Sequence, residues 1–157
     1  MSHFLGFVFE TEGNETNDLL EKYVGEGVEV DDDGIVWEYK CDWYRGGPDV
    51  LHTKNGEAVG SAKVADVDWD LTCEMLDSIP EDNAQLECVV SDEDGWIGED
   101  DFWESSWADY IKRLVARLLE ADADAMVFVI NFHNYLQPHL PHLKPNGSRR
   151  TPRAVFQ

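Results

Sequence analysis

The chain is short of positive charge. Twelve Lys and Arg stand against thirty-three Asp and Glu, a formal net charge of −21 over 157 residues. Such a surface repels phosphate backbones and anionic lipid, which argues against nucleic acid or membrane as a general-surface partner. Long apolar runs are missing too, and none approaches the roughly 20 residues that cross a bilayer as a helix. The stretch Met1 to Phe9 has no basic lead and turns acidic at Glu10, so it does not read as a secretory leader. Cysteine is scarce. Cys41, Cys73 and Cys88 are an odd number with no Cys-x-x-Cys pair, which fits buried thiols in a reducing compartment better than a disulfide framework. The expectation is a soluble, cytoplasmic protein. Catalytic signatures are also absent: there is no Gly-x-Ser-x-Gly and no His-Glu-x-x-His.

What the chain does have is core material. Six Trp and 43% apolar residues place it among globular sequences despite its charge. The length suits one domain. We read residues 1–134 as a single α+β domain and 135–157 as an extended tail, where Pro138, Pro141 and Pro145 alternate with His139 and His142 before a basic stretch from Arg149 to Arg153.

Periodicity predicts the elements. Phe4 to Phe9 is an apolar run, read as a buried strand. Glu15 to Val24 sets Leu19, Leu20, Tyr23 and Val24 on one helical face, with Thr16 or Asn17 as cap and Gly25 as stop. Asp31 to Gly34 is a turn, and Ile35 to Lys40 alternates as a strand. Asn55-Gly56 between Val50–Thr53 and Glu57–Ser61 signals a hairpin. From Asp70, Leu71, Met75, Leu76 and Ile79 fit a short helix that Pro80 ends. Leu86 to Val90 is a strand. The longest helix is expected from Phe102 to Glu120, with an apolar stripe of Trp103, Trp107, Tyr110, Ile111, Leu114, Val115, Leu118 and Leu119. Asp101 and Glu104 resemble a capping box, and Lys112, Arg113 and Arg117 sit toward the C-terminal half, where the dipole favours cations. Met126 to Phe132 reads as a central strand. This order predicts an α+β fold: a mixed or mostly antiparallel sheet with two to three helices packed on one face.

Several short motifs recur in a fixed order: Met1-Ser2-His3-Phe4, Asp42-Trp43-Tyr44 before Gly46-Gly47, Asp66-Val67-Asp68-Trp69, Asp94-Gly95-Trp96, and Asn131-Phe132-His133. In these the chain resembles a family of small uncharacterised phage and bacterial proteins that begin MSHF, carry DWY before a GGRW-like motif, and end on a strand with Asp-x-His. Pro48-Asp49 stands where that pattern has Arg-Trp, and Asn131 where it has Asp. The resemblance implies a mobile-element context in a bacterial or archaeal host, and no particular reaction.

Candidate sites each have a plainer rival. Asp66, Asp68 and Asp70 alternate, so an extended segment would set three carboxylates on one face for a hard cation. As a calcium loop they fail, because Leu71 replaces the required glycine and Asp77 the bidentate glutamate. The plainer reading is a solvated strand edge running into a helix cap. His3 and His133 end the two most apolar strands. If those strands are neighbours, the imidazoles converge near Asp42 or Cys41, so that His3, Asp42 and His133, with Arg45 as a nearby cation, form an acid–base or transition-metal site. The rival is a partly buried histidine bonded to backbone. Arg45-Gly46-Gly47 offers amides to a phosphate but lacks the Walker lysine and glycine spacing, so a tight turn is the stronger reading. His139 and His142 have no second ligand pair at zinc spacing. No cofactor and no metal are expected.

The acids remain. Duplex DNA carries a charge about every 1.7 Å along its axis, and a protein of comparable acid density can occupy a DNA-binding groove. The functional expectation is therefore a phage-type anti-defence inhibitor of a basic nucleic-acid-binding host protein, of CRISPR or restriction type, with DNA mimicry as one means. The expected binding residues are Asp66, Asp68, Asp70, Asp92, Glu93, Asp94, Glu99, Asp100 and Asp101. The alternative is a small metal- or nucleotide-dependent enzyme or ligand binder with its site at the sheet edge. Salt adaptation or plain solubility would produce the same composition. One acidic face opposite the basic patch of Lys112, Arg113 and Arg117 would favour inhibition, and an even spread would favour solubility.

Overall fold

A computed structural model describes residues 2–25, 28–30, 32–34, 36–76 and 85–134. The expected tail from 135 onward, the helix end at Ile79 and Pro80, and position 35 of the expected strand lie outside these residues. In chain order the elements are β1 (Ser2–Glu10), α1 (Thr16–Leu20), β2 (Val28–Val30), β3 (Val36–Glu38), β4 (Trp43–Gly46), β5 (Leu51–His52), β6 (Ala58–Val59), β7 (Ser61–Lys63), α2 (Trp69–Met75), β8 (Leu86–Ser91), β9 (Gly95–Gly98), α3 (Trp107–Ala121) and β10 (Met126–Asn134).

Two apolar nine-residue strands form the middle of the main sheet. β1 and β10 pair antiparallel from Ser2↔Asn134 to Glu10↔Met126. The sheet runs β4-β10-β1-β8-β9, and β7 joins β10 beside its first half. Only β1 and β8 run parallel, so the sheet is mixed and mostly antiparallel, and the fold is α+β as the element order predicts. β2 with β3 and β5 with β6 make separate two-stranded hairpins. The β5–β6 turn places Gly56 at φ +90°, and Gly95 turns β8 into β9 at φ +70°.

β1 reads as a continuous apolar run because both of its faces are covered. Leu5, Phe7 and Phe9 pack with Val127 and Val129 against Trp69 and Cys73 of α2 and Ile111, Leu114 and Leu118 of α3. The opposite face carries Val8, Cys88, Trp96, Ile130 and Phe132 against Leu19, Leu20 and Tyr23. The expectation of helices on one face thus holds for the two larger helices, while α1 lies on the other. Gly6, at the centre of β1, allows this packing. A Cβ there would strike Cys88 Sγ and come within 2.6 Å of the Phe132 ring.

Helix starts differ from their predicted positions, for identifiable reasons. α3 begins at Trp107, not Phe102, because Ser106 supplies the cap, its hydroxyl accepting the Asp109 N–H at 3.2 Å. Asp101 caps a preceding turn, accepting the Gly98 N–H at 2.8 Å, so Asp101 and Glu104 are not a capping box. Trp103 lies outside the helix and is fully exposed, so it leaves the predicted stripe. α2 is capped by Asp68, which accepts the Leu71 N–H at 3.0 Å, and starts at Trp69, one residue before the expected Asp70. Its buried side is Trp69, Thr72 and Cys73, while the predicted core residues Leu71 and Met75 are exposed. α1 is capped neither by Thr16 nor by Asn17. Glu10, at the end of β1, accepts both the N–H and the hydroxyl of Thr16 at 2.6 Å.

Candidate functional site

The main sheet changes chemistry along the face that α2 and α3 cover. Alternation puts residues 3, 5, 7 and 9 of β1 on that face, and pairing sets 133, 131, 129 and 127 of β10 beside them. β4 adds Trp43 opposite His133 and Arg45 opposite Asn131. The inner rungs are Phe9 with Val127 and Phe7 with Val129, which the helices bury. The next rung is Leu5, Asn131 and Arg45, and the last is His3, His133 and Trp43. An apolar sheet face therefore ends in a polar and aromatic one.

That last rung is closely packed. Trp43 stacks on His133 with ring centroids 4.5 Å apart and planes at 11°. His3 meets His133 edge-on at 4.9 Å and Trp43 at 6.1 Å. Asp42 holds His133 twice: its N–H donates to the His133 carbonyl at 2.9 Å, and its carboxylate lies 3.3 Å from His133 Nδ1. Both of these side chains are nearly sealed from solvent, at 3% and 7% exposure. His3 is exposed, and its Nδ1 lies 3.2 Å from Asn131 Oδ1. An amide oxygen only accepts, so this contact is a hydrogen bond in the ring forms that carry a proton on Nδ1. The Arg45 guanidinium stands over the Trp43 ring at 5.7 Å.

His3, Asp42 and His133, 130 positions apart at the extremes, therefore meet around the His133 ring. Their roles differ: buried His133 with Asp42 forms a fixed floor, and exposed His3 faces solvent. Cys41, the other residue expected nearby, packs in the opposite core, and burial, with Asp42 beside it, pushes its thiol up to about 12. Among the described residues, no group of three or more His, Cys, Asp or Glu is placed to hold a metal ion. Arg45-Gly46-Gly47 is neither a phosphate cradle nor a tight turn. Arg45 and Gly46 are in β4, and the Gly47 N–H continues along β10 to the Val129 carbonyl at 2.8 Å. Trp43 and Asn131 belong to this site although the sequence reading gave them no role. Their signal was the i, i+2 spacing of Trp43 with Arg45 and of Asn131 with His133.

The acidic residues have mixed duties. Asp66, Asp68 and Asp70 do not share a strand face, because the chain turns through a 3₁₀ segment at Val64–Asp66 into α2. Asp68 caps that helix, and Asp70 pairs with Lys112 at 2.6 Å. Glu93 and Asp94 hold Arg117 at 2.9 and 3.2 Å, and Asp94 also accepts the buried Tyr110 hydroxyl at 2.8 Å. Arg113 pairs with Glu104. The three cations of α3 therefore form no separate basic patch. Asp66, Asp92, Glu99 and Asp100 are exposed. Exposed carboxylates stand on α1 (Asp18) over one face and on α2 and α3 (Glu74, Asp109, Glu120) over the other, so they surround the body. One cavity of about 450 Å³ lies at the end of the sheet opposite His3, lined by Thr11, Glu12, Asp92, Glu93, Leu118 and Asp122.

No protein-family model matches the chain, and neither does any curated protein or solved structure. No helix among the described residues is long and apolar enough to cross a membrane.

Proposed function

We propose that the protein is a ligand binder whose site is the histidine end of the sheet, with His3 as the exposed group that meets the ligand. The observation that carries this reading is the last rung of the sheet. Three strands deliver His3, His133 and Trp43 side by side, and the buried Asp42 carboxylate lies against the central ring. A rigid aromatic floor beside an exposed, oriented imidazole is the arrangement expected of a small-molecule site, where a few placed polar groups stand on an apolar wall. The test is a thermal-shift screen of divalent ions, nucleotides and small organic anions on the wild-type protein and on His3→Ala. A ligand that stabilises the former and not the latter supports the reading. A screen in which no compound shifts the wild type refutes it.

The second reading is an acidic inhibitor that docks on a basic, nucleic-acid-binding host protein of CRISPR or restriction type. The acidic cavity favours it, as does the segregation of charge, whereas the spread of carboxylates around the whole body favours plain solubility. All thirty-three acids and eight of the twelve basic residues lie before residue 135, leaving −25 on the body and +4 on the remainder. A partner of this kind would be recovered from bacterial lysate at low salt, released at high salt, and lost with Asp92→Asn/Glu93→Gln/Asp122→Asn. Recovery of no nucleic-acid-binding protein counts against inhibition and leaves the histidine end untouched.

A further inference from the structure

We infer that the ligand of the histidine end carries a phosphate ester, gripped by Arg45 and His3 across the edge of Trp43. This rests on the reading of that end as a binding site and adds the chemical class of its occupant.

The first support is the placement of Arg45. Among the described residues there are three arginines. Arg113 and Arg117 each lie against carboxylates, as the composition would lead one to expect. Among the described residues Arg45 has no carboxylate within ion-pair distance, and it rests over an indole. In so acidic a chain, an exposed guanidinium set apart from every described carboxylate is a donor fork left for an external anion.

The second support is convergence. Arg45 and His3 flank β10 on the same sheet face, one rung apart. Strand spacing puts their backbones roughly 10 Å apart across the sheet and about 7 Å along it. Both side chains lie near the same Trp43 ring, the guanidinium at 5.7 Å and the imidazole at 6.1 Å. A tetrahedral oxyanion with three free oxygens suits a bidentate guanidinium on one side and a single N–H on the other.

The third is the chemistry of His3. With Nδ1 engaged at Asn131 Oδ1, Nε2 is the ring nitrogen left for a ligand, and it donates in the imidazolium form. The carboxylate described at this site, Asp42, does not oppose this. Asp42 is buried and turned onto His133, so its charge is neither exposed nor aimed at the rim.

The experiment uses the full chain at low ionic strength, with isothermal calorimetry and the indole and imidazole proton signals as readouts. The probes are inorganic phosphate, phenyl phosphate, adenosine monophosphate and adenosine. Phenyl phosphate or the nucleotide is expected to bind and to shift the Trp43 and His3 signals. Arg45→Gln weakens that binding by about tenfold, as loss of a charge-assisted bond does, His3→Gln by a smaller factor, and Arg45→Lys less than Arg45→Gln. Lys54→Gln, which removes the same charge at the tip of the β5–β6 hairpin, leaves affinity unchanged. Circular dichroism confirms that each variant is folded. Adenosine binding as tightly as its monophosphate would overturn the phosphate inference while leaving the site reading in place, and so would equal weakening by Lys54→Gln and Arg45→Gln. Failure of every phosphate probe, with some other compound of the screen still stabilising the wild type and not His3→Ala, overturns this inference alone. Failure of both panels removes both.

Discussion

Substituting Gly6 with alanine tests the packing on which the fold depends. The added methyl would sit 2.6 Å from the Phe132 ring, closer still to Cys88 Sγ, and 3.2 Å from the Cys88 carbonyl. Carbon contacts relax at about 3.5–4.0 Å, so the overlap is near 1 Å on two sides. Neither neighbour can yield easily. Phe132 is stacked on Phe4 at 5.2 Å and meets Trp96 at 5.0 Å, and Cys88 lies in β8, paired with β1 on one side and β9 on the other. Overpacking of this kind costs about 3 kcal/mol at the upper end of its usual range. Alanine returns somewhat under 1 kcal/mol through the lower backbone entropy of the unfolded chain. The net loss is about 2 kcal/mol, a fall of roughly 4–8 °C in Tm for a chain of this length. Calorimetry or urea unfolding measures it. Combining Gly6→Ala with Cys88→Ala removes one of the two collisions, so the double variant loses about 1 kcal/mol less than the sum of the singles. A Gly6→Ala protein as stable as wild type would mean that β1, β8 and Phe132 do not pack as described.

Other outcomes follow from the same structure. Asp68→Ala and Ser106→Ala each remove a side-chain cap and lower stability by about 1 kcal/mol in urea unfolding, whereas Thr16→Ala and Asn17→Ala leave the α1 N–H still bonded to Glu10 and cost less. Trp69→Ala costs about 3–5 kcal/mol, while Met75→Ala, on the same helix but exposed, changes Tm little. Partial burial, and Glu99 facing it across the β8–β9 hairpin, raise the pKa of Glu87. Stability is therefore lost as pH rises through the carboxylate range and is restored once Glu87 is protonated in both states. Glu87→Gln should raise Tm at about pH 7 and leave it unchanged at about pH 3. Sodium chloride should raise the wild-type Tm, because the Debye length falls from about 30 Å at 0.01 M to about 3 Å at 1 M. A Tm that falls with salt would show that the ion pairs of α3 outweigh the general repulsion.

Strand periodicity carried most of the fold. β1, β8 and β10 are legible because residues buried on both faces leave uninterrupted apolar runs, and Asn55-Gly56 marks its hairpin by turn chemistry alone. Caps were less legible, because a cap is chosen by geometry among several eligible residues. Ser106 lies only five positions from Asp101, and Glu10 reaches Thr16 through a fold contact that no local pattern encodes. The phase of α2 was misplaced for the same reason, since starting the helix at Trp69 turns Leu71 and Met75 outward. The short strands β2, β4, β7 and β9 owe their pairing to neighbours more than to their own sequence. At the candidate site, His3 and His133 stood out as polar ends of apolar strands. Their meeting depended on register, and a shift of one residue would have put them on opposite faces. Trp43 and Arg45 required knowing that β4 lies beside the end of β10.

β10 shares its outer side between two short strands. β7 takes Met126 to Phe128 and β4 takes Ile130 to His133, and between them Val129 is bonded through its carbonyl to Gly47 and through its N–H to Gly60. The sheet therefore presents solvent with a broken border on this side, pieces of three and four residues with the β5–β6 hairpin looping out between them, and with the four-residue β9 on the other. A foreign strand needs a longer uninterrupted row of open N–H and C=O groups to anneal. Among the described residues the main sheet therefore offers strand-by-strand polymerisation no long open edge, and its two long apolar strands are locked in the interior.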